Sequence, residues 1–200
     1  MNVWRIINRS ILITPVWLIY FVGLIPATVL FYRAFFNNLG ADPLKTLEHE
    51  LGEYALIFLI ILLSFRPIKK LMSLNLIKFR RSIGLLAFWY ATLHFLTYII
   101  LDQQLIWDLL IGDLIKRPYI IVGFFAFLTL VPLALTSNIW SIRRLGMVKW
   151  KNLHLLVYIS AILAVLHYVL LVKSWPIKPL LYLLVIVLLI AFRFLLKRFL

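Results

Sequence analysis

The chain has 200 residues, 64% of them hydrophobic and only 14% charged. Soluble domains run near half apolar with about a quarter of their residues charged, so this composition excludes one and specifies a membrane protein, with enough apolar residues for about six crossings of roughly 20 residues each. The net charge of +14 would by itself suit a nucleic-acid binder, but its placement along the chain does not, and the absence of cysteine excludes disulfides, iron–sulfur clusters, thiolate zinc sites and covalent c-type haem.

The first apolar run covers residues 11–32. It is too long for a secretory signal and has no small-residue cleavage site, so it predicts a first transmembrane helix. A polar connection over 33–50 precedes a second, shorter run over 51–65, closed by Arg66 and Pro67. Further spans are expected at 82–101, 119–137, 152–172 and 179–196. The fold class is therefore all-α, six transmembrane helices, in one integral domain over 1–200 with no linker or strong internal repeat.

Charge sets the orientation. The segments on one side hold Arg5 and Arg9, then Arg66, Lys69, Lys70, Lys78, Arg80 and Arg81, then Arg143, Arg144, Lys149 and Lys151, and finally Arg193, Lys197 and Arg198. The other side holds Arg33, Lys45, Lys116, Arg117, Lys173 and Lys178 together with all seven acids, so one face is +15 and the other −1. The positive-inside rule then places both termini in the cytoplasm. The charge reports topology, and nucleic acid is excluded as a partner.

Histidine at membrane depth asks for a reason. His94 lies 13 residues beyond Arg81, about 20 Å at 1.5 Å per residue, and His167 lies 16 beyond Lys151, about 24 Å. Equal depth on two helices suits the axial pair of a six-coordinate b-type haem, which needs no cysteine. The stripes Gly84, Ala87, Ala91, His94 and Ser160, Ala164, His167 would leave room for a flat macrocycle, or would serve close helix packing. His154 lies near the basic face, about 20 Å from His167 and on a different side of the helix. It reads either as a contact for a second haem or other cofactor, or as an interfacial hydrogen-bonding residue. His49, in Glu48-His49-Glu50, reads as a solvated loop residue, with zinc ligation the lesser alternative.

Several blocks resemble the MsrQ family, formerly YedZ, the haem-binding membrane subunits of methionine-sulfoxide reductase systems within the ferric-reductase-like transmembrane superfamily. They are Arg80-Arg81 through His94 to Tyr98, Arg117-Pro118-Tyr119 through Pro132 to Ser137, and Leu145-Gly146 through Trp150 and His154 to His167-Tyr168. Asp42-Pro43 with Glu48-His49 and Gly52-Glu53-Tyr54 resembles that family's first outer loop and second span, with Tyr54 where tryptophan is expected. The resemblance covers roughly residues 40–175, with a ferric-reductase-like core over about 50–175. It implies a b-type cytochrome of the bacterial inner membrane carrying one haem, or two, with His94, His154 and His167 as haem and iron ligands, and an association with FMN. It further implies that electrons come from the quinone pool or a cytoplasmic flavin reductase. They go to MsrP, a periplasmic molybdopterin enzyme that repairs oxidised periplasmic proteins. No reductase domain is present, so the chain is expected to be a non-catalytic relay.

On that basis Arg80 and Arg81, with Arg144, Lys149 and Trp150, are candidates for a flavin or donor contact, against the plainer reading of positive-inside residues. Arg117 and Tyr119 are candidates for haem-propionate contact, against interfacial anchoring. Two other function classes compete: a proton-coupled transporter, disfavoured because no acid lies at mid-bilayer, and a cofactor-free scaffold whose histidines only join helices.

Overall fold

The computed structural model describes residues 3–172 and 177–198, with side chains over 7–172 and 177–195. Arg5, Lys173, Lys197 and Arg198 of the charge pattern lie outside the described side chains. Among the described residues there are helices and no strands. In chain order they are α1 (Val3–Ile13), α2 (Val16–Phe35), α3 (Pro43–Met72), α4 (Arg80–Leu96), α5 (Trp107–Lys116), α6 (Pro118–Leu135), α7 (Ile139–Leu145), α8 (Met147–Leu153), α9 (Leu156–Leu171) and α10 (Ile177–Arg198). A 3₁₀ turn (Ile77–Phe79) leads into α4 and a π-helical turn (Thr97–Asp102) follows it. Six segments are long and apolar enough to cross a membrane: α2, α3, α4 with its flanking turns, α6, α8 with α9, and α10.

Local chemistry explains where these differ from the apolar runs. Pro15 disfavours helix at Thr14, so the amphipathic α1 stands apart from the first span and is tied to the loop after α3. There Asn8 donates to the Ser73 carbonyl (2.9 Å), and the Lys78 ammonium donates to the Leu12 and Thr14 carbonyls (2.6 and 2.7 Å) at the C-terminal end of α1. The second span is twice the length of its apolar run. Asp42 caps it, its Oδ1 accepting from the Lys45 amide at 3.2 Å, Pro43 opens it, and it runs through Pro67 to a left-handed Ser73. The segment Glu48-His49-Glu50, expected in a loop, therefore lies in the early turns of α3. The fifth span breaks at His154-Leu155, and the loop between the third and fourth spans contains the short helix α5.

Packing is pairwise: α3 lies along α4 and α6 along α9, α4 meets α6, α10 covers α9 and α3, and α2 rests on α4. The centre is filled by Leu51, Leu59, Leu86, Ala87, Tyr90, Ala161, Val165 and Ile186, each almost fully buried, while Trp17, Phe21, Trp89 and Leu188 face outward. Between lipid-bathed helices such packing and interhelical hydrogen bonds replace the hydrophobic drive. Ser160 illustrates this: its hydroxyl meets Thr129 of α6 at 2.7 Å, so its place in the small-residue stripe serves the α6–α9 contact. At one end Glu53 accepts from Lys178 and Tyr182 of α10, each at 2.7 Å, and at the other the buried Arg193 of α10 donates to the Tyr158 hydroxyl.

Candidate functional site

Two histidines meet where the α3–α4 and α6–α9 pairs adjoin. His94 sits in the last turn of α4 and His167 near the end of α9, with ring centroids 6.2 Å apart and planes inclined by 69°. Each ring is held through the same atom. Nδ1 of His94 lies 2.9 Å from the Glu48 carbonyl oxygen, and Nδ1 of His167 lies 2.7 Å from that of Tyr119. A carbonyl only accepts, so each Nδ1 carries the hydrogen and each Nε2 keeps a free lone pair. That is the arrangement of a metal-binding imidazole with its outer partner in place.

The spacing, which is also that of an edge-to-face ring contact, admits one shared metal. Imidazole nitrogens about 2 Å from opposite sides of one ion put the ring centroids roughly 6 Å apart. Among the described residues no group of three or more His, Cys, Asp or Glu is placed to hold a metal by itself, which leaves the zinc reading of Glu48, His49, Glu50 and Glu53 without support. A haem iron, already held by four macrocycle nitrogens, asks the protein for only two axial ligands, and the His94/His167 pair fits that demand.

Aromatic rings fix the helices that carry the pair. Phe95 of α4 stacks on Phe127 of α6 (4.8 Å between centroids) and approaches Phe124 (5.9 Å), while Phe88, about two turns from Phe95, also stacks on Phe127 (5.8 Å). Tyr119 contributes its ring 5.8 Å from His167 in addition to its carbonyl. Tyr54, the departure from the expected tryptophan, packs on the ring of Tyr90 at 5.5 Å. Just beyond His94 the helix widens into its π turn, a feature frequent at functional sites, and Tyr98 there donates to Asp113 of α5 (3.2 Å). Arg117, exposed at the start of α6, pairs with the same carboxylate at 3.1 Å.

The remaining candidates lie at the opposite, basic end. Arg80 and Arg81 open α4, and Arg80 lines a cavity of about 120 Å³ with Arg66, Lys69 and Tyr158. His154 caps α8, half-buried. Its ring lies against that of Trp150 (3.9 Å between centroids) and its Nε2 is 3.1 Å from the Thr136 hydroxyl. The Trp150 indole donates to the Thr136 carbonyl at 2.8 Å. Arg144 lies over the Trp140 ring, and His49 is exposed on α3. The structure thus brings His94, His167 and Tyr119 together and keeps Arg80, Arg81, Trp150 and His154 apart from them. Sequence reasoning missed the Glu48 and Tyr119 carbonyls, Thr136 and Asp113; backbone acceptors leave no residue-type signature.

The model of the ferric reductase like transmembrane component matches residues 50–165. The chain is 48% identical over 167 residues to the protein-methionine-sulfoxide reductase heme-binding subunit MsrQ of Brucella anthropi, covering 84% of this chain and 76% of that relative. The subunits of the same name from Brucella ovis and Brucella abortus are 48% identical over 177 residues, covering 88% of this chain and 80% of each relative. No solved structure matches the chain.

Proposed function

Because the chain belongs to the MsrQ family of ferric-reductase-like membrane subunits, we propose that it is the haem-binding subunit of a protein-methionine-sulfoxide reductase system and relays electrons without itself meeting the substrate. The observation that carries this reading is the His94/His167 pair, 6.2 Å apart and donating through both Nδ1 atoms. A b-type haem bound there supplies a one-electron carrier. His94 and His167 would hold its iron through Nε2. The Glu48 and Tyr119 carbonyls hold both rings in that tautomer and raise their basicity. Arg117 and the Tyr119 phenol, at the same end of the bundle, are the groups that would receive the haem carboxylates.

Polarity gives the relay a direction. With the basic end in the cytoplasm, as the positive-inside rule requires, the chain sits in the bacterial inner membrane with its acid-bearing end in the periplasm. The donor, a quinol or a cytoplasmic flavin reductase with FMN, is received at the basic end, where Arg80, Arg81, Trp150 and His154 lie. His154 is there the contact for a second haem or the flavin. The acceptor is a molybdopterin reductase of the MsrP type, docked near the His94/His167 pair, which repairs oxidised periplasmic proteins. Purified protein should give a b-type reduced-minus-oxidised spectrum with either donor and reoxidise when MsrP and an oxidised substrate protein are added. A folded, colourless preparation would overturn the proposal.

A further inference from the structure

The two histidines are seated by one device used twice. In α3 the carbonyl that meets His94 belongs to Glu48, and four residues on stands Gly52; in α6 the carbonyl that meets His167 belongs to Tyr119, and four residues on stands Gly123. In a helix the carbonyl of residue i points toward the amide of i+4, and the Cβ of i+4 tilts back over that turn. A side chain at i+4 would therefore cover the carbonyl that a glycine leaves open. Neither glycine has the positive φ that would call for glycine on backbone grounds, whereas both have a histidine ring where a Cβ would be. A Cβ on Gly52 would lie 3.1 Å from His94 Nδ1, and one on Gly123 would lie 2.7 Å from His167 Nδ1 and 2.8 Å from its Cε1.

We propose that Gly52 and Gly123 are positioning residues of the haem site: by uncovering the Glu48 and Tyr119 carbonyls they let each imidazole dock through Nδ1 and so fix Nε2 as the nitrogen that faces the metal. The two are graded. At Gly52 the ring must give by a few tenths of an ångström to admit a methyl group, and at Gly123, where the contacts fall below 3.0 Å, the ring must shift further. This rests on the haem reading above and extends it to two residues that have no side chain of their own to offer a metal. Alanine is the better helix former, so backbone propensity alone predicts that both substitutions stabilise the chain, and a loss at the metal runs against it.

The experiment compares the haem-loaded wild type with Gly52→Ala, Gly123→Ala and Gly112→Ala by absorption and electron paramagnetic resonance, with haem affinity from titration and folding from circular dichroism. Gly112, on α5, has nothing within 4 Å of an added Cβ and serves as the control. Loss of an outer-shell partner typically lowers metal affinity 10- to 100-fold. A loss of about that size and conversion to high-spin haem are expected for Gly123→Ala, a smaller shift of the low-spin signal for Gly52→Ala, and none for Gly112→Ala. Should Gly123→Ala not fold, Gly52→Ala decides alone. Unchanged affinity and unchanged low-spin g values in the folded Gly52 and Gly123 variants would overturn the inference. A wild type without a low-spin signal that depends on His94 and His167 would instead overturn the haem reading beneath it.

Discussion

Thr136 fixes the tautomer of His154. The threonine hydroxyl has one hydrogen and donates it to the Pro132 carbonyl (2.6 Å), so at His154 Nε2, 3.1 Å away, it accepts. The hydrogen of His154 is therefore on Nε2 and its lone pair on Nδ1, the reverse of His94 and His167. In nitrogen-15 spectra of histidine-labelled, haem-free protein the resonance of His154, identified by its loss in His154→Gln, should report Nε2–H alone, and Thr136→Val should relax it toward the tautomer mixture of a free imidazole. A wild-type His154 already in the Nδ1–H form would refute the assignment. The consequence for function is specific: a ligand at the basic end meets Nδ1 of His154, or else displaces Thr136.

Tyr90 closes a gap in the backbone ladder of α2. It is fully buried, and its hydroxyl donates to the Gly23 carbonyl (2.8 Å) and accepts from the Ala27 amide (2.9 Å), the two groups an unbroken helix would join to each other. Pro26 lies between them, and a side chain entering the ladder beside a proline is a usual cause of a bend. Tyr90→Phe should leave both groups unsatisfied where no water reaches, destabilising the protein by about 1–3 kcal/mol. Reversible unfolding in mild detergent measures it, and an unchanged midpoint would show that α2 closes its own ladder once the hydroxyl is gone.

The last helix is held by unequal contributions. Glu53 is mostly buried, whereas its partner Lys178 is 60% exposed in its side chain. Lys178→Ala should therefore change stability by less than about 1 kcal/mol. Glu53→Ala also strands the Tyr182 hydroxyl and should be more harmful, by about 1–3 kcal/mol. Equal losses for the two variants would mean that the ion pair carries the contact and the Tyr182 bond does not.

Asp42 gives a pH dependence whose sign follows from its surroundings. The hydrogen bond from the Lys45 ammonium, and then that from the Lys45 amide, hold its carboxyl below the ordinary aspartate value. A depressed folded-state value means that the capping contribution is complete above the unfolded value and is lost as pH falls through the depressed one. Asp42→Asn keeps a side-chain acceptor for the Lys45 amide but cannot titrate. Melting curves across the acidic range should show a smaller acid-induced loss in Asp42→Asn than in wild type; parallel curves would show that the cap does not titrate with stability.

The helices of this fold were largely legible because lipid demands long apolar runs, and those runs survive in the composition. Their ends were less so. The extension of α3 back to Pro43 was signalled by Asp42-Pro43, a capping acid before an N1 proline, but the polar Glu48-His49-Glu50 outweighed it in a reading by hydropathy. The break at His154-Leu155 had no glycine or proline to announce it, and the Thr136 contacts of His154 and Trp150 beside it come from tertiary packing. In the site, residue counting alone placed His94 and His167 at a common depth, and the structure puts their rings 6.2 Å apart. What holds them is main chain, and Tyr119 meets His167 with its carbonyl as well as the ring that sequence reasoning had in view. Gly52 and Gly123 were the one visible trace of those carbonyls, readable only once the pairing of helices is known.

In the proposed site His94 and His167 together hold one haem. Electron paramagnetic resonance of the oxidised, haem-loaded protein tests it most directly, on wild type and on the His94→Ala and His167→Ala variants. Wild type should give a low-spin bis-imidazole signal that is lost in each variant separately, because either substitution removes one member of the same pair. Persistence of that signal in both variants would contradict it.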